Sequence, residues 1–350
     1  MKIITCIIAY FSFVTASAGL AGIVTGTPER EEQEYKSAFI IKGTVRPKPL
    51  VGQLRAKLES LQQQRGFAFP ALLGQTYDLD TGFSAFMFRD IYLDTHGLDV
   101  LQARASYRLR YRWNRLAHYA RHRIFPFLKP FWPTRCEIQF KRDYAVDPGS
   151  GRLRVKESRF EFRNESEPFI FAENAPPPPW PEPEYLEHAR QGEFRDFQML
   201  PTTLLRQTLE SPADNLQPRV YVNTVRYRTH INIGYNPWGW GPNPEQIFIV
   251  TLDLSDWRYA DGSQAGHRLL ELEIEADRNV STMLTLAAEV RSEDPLIRYA
   301  GQASVRALSA LRQDHRSLQE ELSTIIAGYL QATPLPVTWK YARIMESRIL

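Results

Sequence analysis

The sequence predicts an α+β protein: an antiparallel sheet of about eight strands that closes into a barrel, with covering helices. Charged and apolar residues alternate strictly in stretch after stretch, and that is the period of a β-strand. Strong turn signals separate these stretches, among them Asp147-Pro148-Gly149-Ser150-Gly151 and Asp261-Gly262, so neighbours in the chain pair as hairpins. No stretch carries an obvious edge-protecting device, which points to closure. With 350 residues, 43% of them hydrophobic, the chain suits one large domain or two small ones.

The N-terminus differs from the rest. Lys2 precedes an apolar run from Ile3 to Val14, and Thr15-Ala16-Ser17-Ala18 follows. Residues 1–18 have the layout of a signal peptide with an Ala-x-Ala cleavage site, which predicts export to the periplasm or the cell exterior. An uncleaved membrane anchor and a misassigned start codon are the other two readings; the next charge after Lys2 is Glu29. Cleavage leaves only Cys136, so no internal disulfide forms, and Cys136 reads as a small apolar residue.

The first strand is "EEQEYKSAFIIKG", and residues 51–66 read as a helix from the spacing of Leu54, Leu58 and Leu61. "DIYLDT" leads into "RASYRLRYRW", where Arg108, Arg110 and Arg112 alternate with Tyr107, Leu109, Tyr111 and Trp113. Residues 114–135 form a basic, aromatic insertion broken by Pro126, Pro130 and Pro133. Its Arg, His and aromatic residues suit RNA or an anionic membrane surface, or else a helix and loop packed on the barrel. His96, His118 and His122 are isolated and read as surface residues.

The strands "CEIQFKRDYAV" and "RLRVKESRFEFR" come next, and then an irregular insertion at 164–218 with prolines at 176–179, 181 and 183. "RVYVNTVRYRTHI", a loop "NPWGWGPNP", "QIFIVTLDLSDW" and "HRLLELEIEAD" complete the strands. Residues 280–331 read largely as helix, broken near Asp294-Pro295, before a last segment "PLPVTWKYARIMES".

Alternation by itself does not say which face is inside; in an ordinary sheet the apolar face is buried and the charges meet water. The distribution of sign adds a clue. Net charge is only +3, from 43 basic and 40 acidic residues, which argues against a purely electrostatic nucleic-acid binder. The acids concentrate in "EEQEYK" and "ELEIE", the bases in "RLRYR" and "VRYRTH". A barrel lined by these strands has a cationic wall suited to phosphate and a carboxylate cluster suited to Mg²⁺ or Mn²⁺.

Taken in order, these motifs resemble the CYTH, or triphosphate tunnel metalloenzyme, superfamily. Glu32-x-Glu34-x-Lys36 resembles its ExExK signature; "YLDTHGLDVLQARASYRLRYR", "CEIQFK", "ESRFEFR", "VRYR", "TLDL" and "LLELEIE" resemble its later strands. "TWKY" resembles its Ser-Lys-Tyr element, with Trp339 in place of Ser and Lys340 at the functional lysine. The likeness spans residues 30–345 as a single domain. It implies that the charges line the lumen and that triphosphate or short polyphosphate is hydrolysed with Mg²⁺ or Mn²⁺.

Lys36, Arg108, Arg110, Lys141, Arg159, Arg226, Arg228 and Lys340 are then the phosphate-binding candidates, with Lys36 and Lys340 catalytic. Glu32, Glu34, Asp253, Glu271, Glu273 and Glu275 are the metal ligands, and Glu157, Arg159 and Glu161 form supporting charge pairs. Non-catalytic phosphate binding and a polyphosphate polymerase of the vacuolar transporter chaperone type are the alternatives. The polymerase needs a nucleotide supply.

Overall fold

The computed structural model describes residues 26–65, 67–68, 77–78, 82–124, 133–147, 152–162, 201–209, 216–233, 245–276, 291 and 293–348. The leader at 1–18, the proline run at 176–183 and the "NPWGWGPNP" loop lie outside them, as does the Cys136 side chain.

The described residues form ten strands: β1 (Gly26–Ile41), β2 (Phe67–Ala68), β3 (Tyr77–Asp78), β4 (Phe83–Asp94), β5 (Ser106–Trp113), β6 (Arg135–Val146), β7 (Leu153–Phe162), β8 (Gln217–Ile233), β9 (Glu245–Tyr259) and β10 (Arg268–Ala276). Eight of them pair antiparallel in the circular order β8-β9-β10-β1-β7-β6-β5-β4, and β4 returns to β8. The barrel is closed, so none of the eight is left as an edge. β2 and β3 are two-residue additions to β8 and β4.

Helices cover the outside because the strands' apolar face points outward. In α1 (Pro47–Arg65), Leu50, Leu54, Leu58 and Leu61 recur at helical spacing. They join Leu318, Leu322 and Ile326 of α5 (Pro295–Leu330) over Phe39, Tyr227, Leu252, Leu272 and Ile274 of the barrel wall. His315 of α5 is buried here, with Nε2 2.7 Å from the Ile274 carbonyl oxygen and its ring stacked on Phe248. On the other side, Leu204 and Leu205 of α4 (Pro201–Leu209) pack on Leu109, Tyr111 and Ile138. That cluster settles the orientation of β5: its Tyr and Leu face packs outward and its arginines turn in.

One end is filled by α6 (Lys340–Glu346). Tyr341, Ile344 and Met345 pack against the inward residues Tyr92, Val222, Trp257 and Leu269. Tyr341 stacks on Tyr92 at 5.0 Å, and its hydroxyl donates to Asp94 Oδ2 at 3.0 Å. Asp94 also accepts the backbone N–H groups of Thr95, Val100 and Leu101, capping the short helix α2 (Asp99–Gln102). Trp339 fills its Ser-like position by stacking on Tyr144 at 4.8 Å. Tyr144 reaches the lumen because a bulge after Arg142 adds one residue to β6, with Asp143 at φ +57°.

Four element readings change. The strand read as "DIYLDT" begins at Phe83, and "FSAFMF" was missed because both of its faces are apolar. The 114–135 insertion contains α3 (Leu116–Ile124), seated by Tyr119 on Trp113 at 5.0 Å, and Arg135 already belongs to β6. The 164–218 insertion contains α4 and the first residues of β8. The long late helix begins at Pro295; residues 280–290 lie outside the described set. No helix among the described residues is long and apolar enough to cross a membrane.

Candidate active site: the charged lumen

Because side chains alternate along each strand, the charged face lines the middle of the barrel, interrupted by Phe88 and Ile249, and several strand pairs set opposite signs side by side, as with Asp90 and Arg110 or Arg226 and Asp253. The lumen holds a cavity of about 200 Å³, lined by ten basic and five acidic residues together with Phe88, Tyr92 and Tyr144.

On the β4–β5 wall, Asp90 is fully buried and grips Arg110 with two bonds, Nε to Oδ1 at 2.7 Å and Nη2 to Oδ2 at 2.8 Å. Arg108 donates to the same carboxylate at 3.1 Å, to Tyr92 at 2.9 Å and to Gln139 at 2.7 Å. Burial alone pushes the Asp90 carboxyl up, but Arg108 and Arg110 outweigh it and hold it down at about 2.

Where β1 meets β7 and β6, Lys141 donates to Glu32 at 2.5 Å and lies 3.4 Å from Glu157. Arg159 bridges the same two acids, at 3.1 Å from Glu32 and 2.6 Å from Glu157. The predicted Glu157–Arg159 pair is therefore formed; the Glu161 side chain is outside the described set.

Opposite, Arg226 makes a two-bond pair with Asp253 at 2.6 and 2.7 Å. Lys340, carried in from α6, lies 3.1 Å from Asp253, 2.8 Å from Glu271 and 3.1 Å from Ser255 Oγ. Burial raises the Asp253 pKa, yet Arg226 and Lys340 drive it well below the carboxylate range.

At the β1–β10 seam, Lys36 lies 2.8 Å from Glu34 and 3.6 Å from Glu273. Glu34 has no exposure, and burial and the neighbouring Glu273 charge raise its pKa well above the usual value. Burial would raise Glu273 too, but Lys36 and Arg226 lower it.

Beyond this ring lie Arg112 and Arg228, on either side of Phe86, with their Cζ atoms 4.3 and 5.6 Å from its ring centre. Burial and Arg135 push the Arg112 pKa down to about 10; burial, Arg226 and Arg112 push Arg228 down to about 9. His230 is pushed down to about 4 by burial and Arg228.

Of the predicted residues, Lys36, Arg108, Arg110, Lys141, Arg159, Arg226, Arg228 and Lys340 all line this cavity, as do Glu32, Asp253, Glu273 and Glu275. Glu34 and Glu271 are buried in the wall. Among the described residues no three Asp, Glu, His or Cys side chains are grouped to hold a metal ion. Lys36, Arg226 and Lys340 reach in among these acids. Mg²⁺ or Mn²⁺ still fits the donor chemistry, which is oxygen only, because both Glu34 oxygens and Glu271 Oε1 are buried without a hydrogen bond of ordinary geometry.

Asp90 was missed, along with the lumen roles of Tyr92, Arg135 and Tyr144. The signal for Asp90 is its even spacing with Tyr92 and Asp94 in "RDIYLD", hidden by the apolar start of β4.

The chain forms the closed, charged β-tunnel that its motifs resemble. No protein-family model and no curated protein matches the sequence. Solved structures similar to it include a Hippeastrum candidate adenylyl cyclase described as having a dominant triphosphatase activity, at 13% identity over 74% of this chain and 86% of that one, TM-score 0.33. A Bacillus halodurans candidate adenylate cyclase matches at 11% identity over 89% and 97%, TM-score 0.33. An S. pombe RNA triphosphatase matches at 12% identity over 82% and 86%, TM-score 0.29. Likeness at that level carries no activity across, so function rests on the lumen.

Proposed function

We propose that the tunnel binds triphosphate or short polyphosphate and hydrolyses its terminal phosphoanhydride bond with a divalent cation, Mg²⁺ or Mn²⁺. The observation that carries this reading is the lumen cavity of about 200 Å³ with ten basic residues against five acidic ones. That volume is the scale of a compact polyanion rather than a folded macromolecule.

Phosphoryl transfer asks a protein mainly for positioning and charge neutralisation. Lys36, Arg108, Arg110, Lys141, Arg159, Arg226 and Lys340 would hold the phosphate oxygens, with Arg228 further out. In the structure the inner cations are bound to carboxylates, so an entering phosphate chain competes with Asp90, Glu32 and Asp253 for them. As cations turn to phosphate, Glu34, Glu271 and Glu273 become available to hold a divalent ion, with Glu32, Asp253 and Glu275 beside them. What the ion supplies when bound is further neutralisation of phosphoryl oxygens and a water of lowered pKa. Lys340 and Lys36 would keep the terminal phosphate in line for attack.

A purely binding role is the second reading, favoured by the separation of the carboxylates among the described residues. The deciding experiment follows phosphate release from tripolyphosphate by the purified chain with Mg²⁺, with Mn²⁺ and with a chelator. Metal-dependent release supports the hydrolase. Tight binding without release in any metal leaves the binder, and a polymerase would instead lengthen polyphosphate from a nucleoside triphosphate. Residues 1–18 support export of this activity, which N-terminal sequencing of the mature chain checks.

A further inference from the structure

Arg112 and Arg228 differ from every other arginine in the lumen. One alternation step inward, Arg110 and Arg226 each hold an aspartate through two bonds of 2.6–2.8 Å. Arg112 and Arg228 make no ion pair among the described residues, and the Nε of each is buried without a hydrogen bond. The acids that attract them are Glu137 and Glu275, neither in contact, while Arg135, Arg226 and Arg110 repel them. Both line the same cavity as the inner ring.

A buried, crowded guanidinium destabilises a fold unless an anion joins it. We propose that Arg112 and Arg228, flanking Phe86, form a separate anion subsite that holds the outer phosphates of a linear polyphosphate longer than triphosphate. The inference rests on the phosphate-binding reading of the lumen and extends it to chain length. Arg112 lies two residues beyond Arg110 on β5, about 7 Å of strand, so the ladder of cations continues one step past the inner ring. A nucleoside is the weaker occupant: its base is neutral and leaves both charges uncompensated, and the two guanidiniums already flank the Phe86 ring.

The test is calorimetric binding of tripolyphosphate, a longer linear polyphosphate and ATP to the full chain, with thermal melts of each protein without ligand. Wild type, Arg112→Met and Arg228→Met are compared. Wild type is expected to bind the longer chain at least about tenfold more tightly than tripolyphosphate. Either substitution should reduce that ratio about tenfold, and the unliganded variants should melt no lower than wild type, because an uncompensated charge is gone. A merely structural role predicts the reverse: lower melting and an unchanged ratio. Equal affinity of wild type for the two chains overturns the subsite without any variant, and so does a preference for ATP that the substitutions abolish. Failure of wild type to bind any phosphate chain overturns the phosphate reading as well, which tells the two failures apart.

Discussion

The two ends of the tunnel treat buried charge in opposite ways. At the α6 end, Lys340 enters the barrel with Tyr341 and finds Asp253, Glu271 and Ser255 within 3.1 Å. At the far end, Arg112 and Arg228 stand against the Phe86 ring without an ion pair among the described residues. A paired charge in a buried site costs little further and fixes geometry; an unpaired one is held by the rest of the fold and is relieved by an anion that joins it. The first arrangement serves rigidity; the second, on the proposed reading, serves recognition.

The largest test of this contrast removes a partner at the α6 end. Asp253→Ala strands Arg226 and Lys340 together, and denaturant unfolding should show a loss of about 3–5 kcal/mol. A loss under about 1 kcal/mol would mean that water already screens the pair, and the contrast would fail.

Lys340→Ala comes next, read on binding. Tripolyphosphate affinity should fall by about a hundredfold or more, equivalent to losing ~3 kcal/mol, in calorimetric titration. Unchanged affinity would remove Lys340 from the ligand's surroundings.

The acid limb is of similar or smaller size. His315 is 5% exposed with its pKa pushed down to about 4, chiefly by burial. Its folded pKa lies below the unfolded 6.5, so the unfolded chain takes up the proton first. Stability should therefore fall as pH drops from 6.5 through 4, by up to ~3 kcal/mol. His230 at the arginine end contributes in the same direction, and because Arg228 is a cause of its shift, Arg228→Met should raise its pKa. An NMR titration of the His230 ring checks this, and an unmoved value would count against crowding at that end.

The smallest effect is expected from Arg228→Met in the unliganded protein: neutral, or a gain of about 1 kcal/mol in unfolding free energy. A large loss would show that the fold itself needs this charge, erasing the difference between the ends.

Much of this was legible in residue order. β1, β5 through β10 and the helix at 47–65 follow from alternation and leucine spacing, and each predicted phosphate-binding candidate lines the cavity. Asp90 was not legible, because "FSAFMF" looks like a run with two apolar faces; only its pairing with β8 turns Phe86 and Phe88 inward and Leu93 outward. Tyr144 was hidden in the same way by a bulge that shifts parity within β6.

The sequence by itself determined the strands, their turns and the separation of charged from apolar faces, because these depend on neighbours one or two residues apart. It did not determine that the charged face is the inner one, since a period of two is symmetric under exchange of inside and outside. Closure of β4 on β8 and the covering of the apolar wall by α1, α4 and α5 decided that. Nor did it determine which charges meet. Glu34, Asp90 and Asp253 come from β1, β4 and β9, far apart in the chain, and only the strand order sets each beside a cation while leaving Arg112 and Arg228 without an ion pair among the described residues.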